Sequence, residues 1–242
     1  MASLLFLYIC IMKILICDKI EELGEDFVER CKEILPEWRK EQMLKIKHLR
    51  GRVQCALGWM LATLADKEDK RFADKKDKED KKDKKEKRWR YNEHGKPYFE
   101  GRNDLFFSIS HCGSAVAVAV DDEEVGIDIE EVSRYREHLV NYVLNEEEKD
   151  KMDKKDKMDK KDKMDKKEMF IEIWTKKEAV FKLLGTGITH EIKDILKNNS
   201  GINVVSKKVG DRYLSVATRK VIDNEDITIE FVNIEKFCGL NR

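Results

Sequence analysis

The sequence predicts an α+β fold made of two similar halves, and three observations carry that expectation. Helical spacing followed by strand-like alternation occurs twice along the chain, with the change-over near Asp122. Hydrophobic residues make up 41% of 242 residues, enough to fill a core. Two low-complexity charged blocks interrupt these patterns without adding apolar periodicity, so they read as insertions in loops. The halves are therefore placed at 1–122 and 123–242, with insertions at 66–88 and 146–168.

Each element follows from its local pattern. Lys13–Cys17 is a short apolar run ending at a polar residue, which predicts a first strand. Glu21–Ile34 has helical spacing, and Pro36 opens a second helical region reaching about Ala65. The block Asp66–Arg88 holds 12 basic and 9 acidic residues with only Phe72 and Ala73 uncharged. A strand near Trp89–Tyr91 follows it, and Phe106–Val120 reads as a hairpin. After a strand at Gly126–Glu130 the pattern predicts a helix around Arg134–Leu144, then the block Glu146–Glu168 with 10 charges of each sign. In that block the hexad KMDKKD recurs from Lys151, and its Met152, Met158 and Met164 walk around a helix without forming a stripe. Such a repeat forms solitary helices laced by ion pairs or stays unfolded. A long helix through Trp174 to Leu184 ends at Gly185 and Gly187. The tail alternates around Asn203–Val205, Tyr213–Thr218 and Asp226–Val232, which predicts three antiparallel strands.

Composition excludes several classes of function. With 49 basic and 49 acidic residues the formal charge is zero, so no global field draws nucleic acid or an anionic membrane. The adjacent aspartates of the repeats would repel the phosphates that their lysines attract. Cys10, Cys17, Cys31, Cys55, Cys112 and Cys238 show no CxxC spacing, which argues against a zinc knuckle or a redox pair. They read as reduced thiols of a cytoplasmic protein. Met1–Ile16 is strongly apolar but lacks a basic flank and a cleavage site. Residues 1–11 are expected to be an extension ahead of the first strand.

Four motifs carry chemistry. Gly126-Ile127-Asp128-Ile129-Glu130 puts two carboxylates on one face of a strand, where they are either simply wetted or share a cation. In Trp174-Thr175-Lys176-Lys177-Glu178-Ala179-Val180-Phe181-Lys182, Glu178 and Lys182 lie one helical turn apart. Thr175 and Glu178 have the spacing of a capping box, but Glu168–Trp174 already looks helical and would bury Thr175 inside the helix. Upstream stand Gly95-Lys96-Pro97-Tyr98-Phe99 and Phe107-Ser108-Ile109-Ser110-His111, the second followed by Cys112-Gly113. A strand end with hydroxyl, imidazole and glycine-flanked amides suits an anion, while His111 also fits a hairpin histidine bonded to a carbonyl.

In this order the four motifs closely resemble the 4′-phosphopantetheinyl transferases of the larger, Sfp-type class, from about Lys13 to about Ile188. The resemblance implies a fold of two α+β halves related by a pseudo-twofold axis, a monomer that imitates a dimer. It also implies an enzyme that moves phosphopantetheine from coenzyme A, its co-substrate, to a serine of an apo acyl or peptidyl carrier protein, releasing 3′,5′-ADP. By that resemblance Asp128, Glu130 and Glu178 hold Mg²⁺, Glu178 takes the serine proton, and Lys182 stabilises the departing phosphate. Ser110 and His111 contact coenzyme A phosphates, and Gly95, Lys96 and Pro97 lie along the adenine. Trp38 and Glu41 stand where similar proteins carry lysines, so the 3′-phosphate contact is expected from Arg39, Lys40, Lys45 or Arg52. Thr186 stands where many relatives have a basic residue. Two other readings stay open: a carrier-binding module without catalysis, which loss of the carboxylates would have signalled, and a charged-repeat interaction protein.

Overall fold

The computed structural model describes residues 12–68, 89–156 and 165–234. The expected extension at 1–11, most of the first charged block and residues 157–164 of the second lie outside them. The first strand, β1 (Met12–Asp18), is followed by α1 (Glu25–Ile34), α2 (Glu37–Leu44) and α3 (Leu49–Glu68). The helix expected from Glu21 is divided: Ile20–Glu22 form a 3₁₀ turn, and Gly24 precedes α1 in an extended conformation. The region after Pro36 is likewise two helices, separated where His48 Nδ1 accepts the amide of Gly51 and so caps the start of α3.

A two-stranded ribbon, β2 (Trp89–Tyr91) and β3 (Pro97–Phe99), leads to the hairpin of β4 (Phe106–His111) and β5 (Ala115–Asp121). Then come β6 (Val125–Glu131), two 3₁₀ turns and the single turn α4 (Val140–Val143), where one helix over Arg134–Leu144 was expected. Next are α5 (Glu146–Asp156), α6 (Lys166–Leu184), the short α7 (Ile195–Asn198) and the strands β7 (Asn203–Val209), β8 (Arg212–Thr218) and β9 (Ile227–Phe231).

Two sheets result, ordered β4-β5-β1-β9 and β6-β8-β7. The expectation of three antiparallel tail strands is corrected here: β7 and β8 pair antiparallel, but β9 crosses to the first sheet and runs parallel to β1. It covers the edge of β1, which would otherwise present unpaired amides, with Ile14 opposite Ile229.

Alternation sorts the side chains into layers. Leu15 and Cys17 of β1, with Val116, Val118 and Val120 of β5, join the core beneath α1–α3. Met12, Ile14 and Ile16, with Ala115, Ala117 and Ala119, face Ile127, Ile129, Leu214 and Val216 of the second sheet. Small alanines on that side let the sheets approach, while the valines fill the wider gap to the helices. A third core lies between the second sheet and α6, built around Phe170, Ala179, Val180, Leu183 and Tyr213.

The second charged block is not wholly a loop insertion. Its first part forms α5, and Met152 is buried in the third core. Asn145 and Glu148 form a reciprocal cap: the Glu148 amide donates to Asn145 Oδ1 and the Asn145 amide to Glu148 Oε2. One methionine per hexad is enough to anchor a capped helix of this length, although no stripe is visible in the sequence.

Candidate active site

The site begins with the alternation of β6. Ile127 and Ile129 point into the inter-sheet core, so Gly126, Asp128 and Glu130 share the opposite face, toward α6. Gly126 is the reason the helix can lie close. A Cβ there would stand 2.0 Å from the carbonyl oxygen of Ala179 and 2.4 Å from the amide of Leu183. That contact brings the turn bearing Glu178 and Lys182 alongside Asp128.

β4 supplies the next layer. Ser108 and Ser110, two residues apart on one face, accept hydrogen bonds from the amides of Ile127 and Ile129, which satisfy the outer edge of β6. Ser110 Oγ also donates to Asp128 Oδ1 at 2.7 Å. Lys182 Nζ donates to the same Asp128 oxygen at 2.6 Å and to Ser110 Oγ at 2.8 Å. Asp128 is 1% exposed, and its Oδ2 is buried with no hydrogen-bond partner.

The two glutamates feel this charge. Burial, then the charge of Asp128, pushes Glu130 up to about 8, against the pull of Arg134, whose Nε lies 3.7 Å from its carboxylate. Burial and Asp128 likewise push Glu178 up to about 7. Among the described residues, no three His, Cys, Asp or Glu side chains are drawn together tightly enough to form a ready-made metal cage. The donor set nevertheless fits a hard divalent cation, being all oxygen, mutually repelling and provided with a buried, unpartnered oxygen on Asp128.

The cleft beside Glu178 and Lys182 is walled by His94, Gly95, Lys96 and Pro97, with Phe181 and Ile188 opposite. Asn92 positions this loop: its Oδ1 accepts the amides of His94 and Lys96, and its Nδ2 donates to the carbonyl of Gly185. Lys96 Nζ donates to the carbonyl of Leu183 at 2.7 Å. The loop thereby closes the C-terminus of α6, where Gly185 takes a left-handed conformation with φ 67°. Burial holds the Lys96 ammonium below the usual lysine range. Lys96 and Pro97 thus line this cleft, with the ammonium of Lys96 engaged by the helix end.

Other expected residues are placed differently. Ser110 is buried between Asp128 and Lys182, where it orients both. His111 stands exposed at the end of β4, in a second cleft with Arg39, His48 and Gln54 that shares Pro97 and Ile109 with the first. Loss of water around the ring, then the charge of Lys182, lowers its pKa. Arg39 is buried, donating to Gln42, to Tyr91 and to the Cys55 carbonyl, with its guanidinium 4.7 Å above the Trp89 ring. Arg52 donates to Glu25 and to the Lys47 carbonyl. Both guanidiniums are engaged by neighbours of their own fold, and Arg39 also lines the second cleft.

Sequence reasoning missed Asn92, Lys177 and Glu148. An Asn two residues before a turn amide is a legible signal for Asn92. Lys177 gives no such signal: it is fully buried beside Glu178 and donates to Glu148 at 2.6 Å and to the carbonyls of Val143 and Lys193.

Residues 124–231 match the family model described as the 4′-phosphopantetheinyl transferase superfamily. The chain is 39% identical over 132 residues to a 4′-phosphopantetheinyl transferase, AcpT, of Escherichia coli O157:H7, covering 53% of this chain and 64% of that protein. It is 32% identical over 100 residues to the 4′-phosphopantetheinyl transferase gsp of Aneurinibacillus migulanus, covering 41% of this chain and 39% of the relative. Against the 4′-phosphopantetheinyl transferase Sfp of Bacillus subtilis strain 168 the identity is 31% over 108 residues, 42% of this chain and 43% of the relative. The chain spans less than two thirds of each of these proteins. Asp128, Glu130, Glu178 and Lys182 all fall inside residues 124–231, the segment in which the chain is similar to the 4′-phosphopantetheinyl transferase superfamily.

Proposed function

We propose that the protein is a cytoplasmic, Mg²⁺-dependent phosphopantetheinyl transferase of the Sfp-type class. It would take coenzyme A as co-substrate, modify a serine of an apo acyl or peptidyl carrier protein and release 3′,5′-ADP. The observation that carries this reading is the charge cluster around Asp128, whose charge raises Glu130 and Glu178 and pairs with Lys182, with Glu178 and Lys182 opening onto a cleft also lined by the Gly95–Pro97 loop. Residues 1–122 and 123–242 are read as the halves of a pseudo-twofold monomer, interrupted by the charged blocks at 66–88 and 146–168, of which the second contributes α5 to the fold.

Asp128, Glu130 and Glu178 would hold the cation, which when bound supplies positive charge to the pyrophosphate as its bridging bond breaks. Glu178, with a pKa near 7, is matched to accepting the serine proton near neutral pH. The serine oxygen attacks the β-phosphorus, the bond from that phosphorus to the bridging oxygen breaks, and its electron pair leaves on 3′,5′-ADP. Lys182, one turn beyond Glu178, would stabilise the charge on that leaving group. His111 and the cleft it shares with His48 would receive coenzyme A phosphates.

Incubation with coenzyme A and a panel of apo carriers, read by intact mass and by release of 3′,5′-ADP, tests the reading. Mass gain on at least one carrier, in step with 3′,5′-ADP, is expected. Unmodified carriers across fatty-acid, polyketide and peptide types, with a folded protein, would contradict it.

A further inference from the structure

Three carboxylates face one another around Asp128, and burying their charge without compensation is costly. Among the described residues, Arg134 and Lys182 answer this. Arg134 reaches Glu130 at 3.7 Å but is 64% exposed, where solvent screens its charge. Lys182 sits directly on the buried Asp128, with Ser110 as its second partner.

We infer that Lys182 is the resident counter-cation of this cluster, seated on Asp128 before a divalent ion binds and released from it by the ion. Metal loading would then be what delivers the ammonium to the substrate phosphates. The inference rests on the metal site proposed above.

The geometry supports an exchange. Lys182 presents a point charge on a flexible four-carbon stem that is 30% exposed, so it can swing toward the cleft without unfolding the helix. A divalent ion on the carboxylates would stand close to an ammonium already 2.6 Å from Asp128 Oδ1, and like charges in a partly buried site repel. Its arrival also removes the need for the lysine, because it supplies two positive charges. Ser110 can follow either state, since a hydroxyl can accept from the lysine or donate to Asp128 alone.

The test uses the full chain without coenzyme A. Lysine acetylation by a water-soluble ester is followed by peptide mass spectrometry in Mg²⁺ and in chelator, with Mg²⁺ binding measured by calorimetry. Labelling of Lys182, relative to exposed lysines such as Lys45, should rise at least about threefold with Mg²⁺, and Asp128→Asn should remove the rise. Removing the competing charge in Lys182→Met should tighten Mg²⁺ binding about tenfold or more, the scale of a charge-assisted hydrogen bond. Mg²⁺ binding with Lys182 labelling unchanged or lowered would overturn the inference and leave the metal site standing. Absence of Mg²⁺ binding in wild type and Lys182→Met alike would overturn the metal site and the inference together. Should Lys182→Met fail to fold, the labelling of the wild-type chain decides alone.

Discussion

Glu130 and Glu178 hold the most perturbed carboxyls of the site, and their shifts have a definite sign. Both folded-state values lie above the ordinary 4.5, at about 8 and about 7. Between those limits these two groups bind more protons in the folded protein than in the unfolded chain, so without metal the stability they contribute is lost as pH rises from about 4.5 to about 8. Replacing Glu130 by Gln should flatten this fall. Thermal unfolding in chelator at pH 5.5 and pH 8 should show a smaller drop for Glu130→Gln than for wild type. Equal drops would mean that Glu130 is as well solvated in the folded state as in the unfolded one. The proposed Mg²⁺ would bind the deprotonated forms, so its stabilising effect should grow over the same window.

At the scale of elements, the close contact between β6 and α6 decides where Glu178 and Lys182 stand. Gly126→Ala should push the helix off the strand and cost about 1–3 kcal/mol, as overpacking does. Chemical denaturation would measure it, and an unchanged midpoint would mean that the helix has room to spare. Lys177 ties α6 to α5, to the end of α4 and to the 3₁₀ turn ending at Lys193 by three hydrogen bonds from its fully buried side chain. Lys177→Met keeps the length but leaves Glu148 and two carbonyls without their donor, and a broken buried pair costs about 3–5 kcal/mol. The thermal midpoint should fall by about 6 °C or more. A variant as stable as wild type would show that water replaces the ammonium freely.

At the scale of the molecule, alternation made much of the fold legible. β1, the hairpin of β4 and β5, and β6 all stand where the apolar runs and alternation put them, while the approach of Glu178 and Lys182 to Asp128 was not legible from spacing, which put only Asp128 with Glu130 and Glu178 with Lys182. Long-range choices were not legible. Nothing in Ile227–Phe231 says that it pairs with β1 across the molecule rather than with β8 beside it. The burial of Arg39, expected at a phosphate, and of Lys177, which carries no sequence signal, was not legible because burial of a cation depends on acceptors far along the chain. Met152 shows how the charged repeat enters the fold: Met152→Asp should lower the thermal midpoint, by about 2–4 °C for each kcal/mol lost. Exchange of residues 157–164 for a Gly/Ser linker should leave that midpoint within about 2 °C. The reverse order of effects would contradict the anchoring role assigned to α5.

The proposed function puts phosphopantetheine transfer at the cluster of Asp128, Glu130 and Glu178. The most direct measurement is the rate of mass gain on an accepted apo carrier, with coenzyme A and saturating Mg²⁺, for wild type, Asp128→Asn, Glu130→Gln and Glu178→Gln. Unfolding curves would accompany it to establish that each variant is folded. The account predicts that each folded variant loses at least about a hundredfold in rate, about 2.7 kcal/mol of transition-state stabilisation, and that wild type stops in chelator. Wild-type rates in any folded carboxylate variant, or transfer undiminished in chelator, would contradict it.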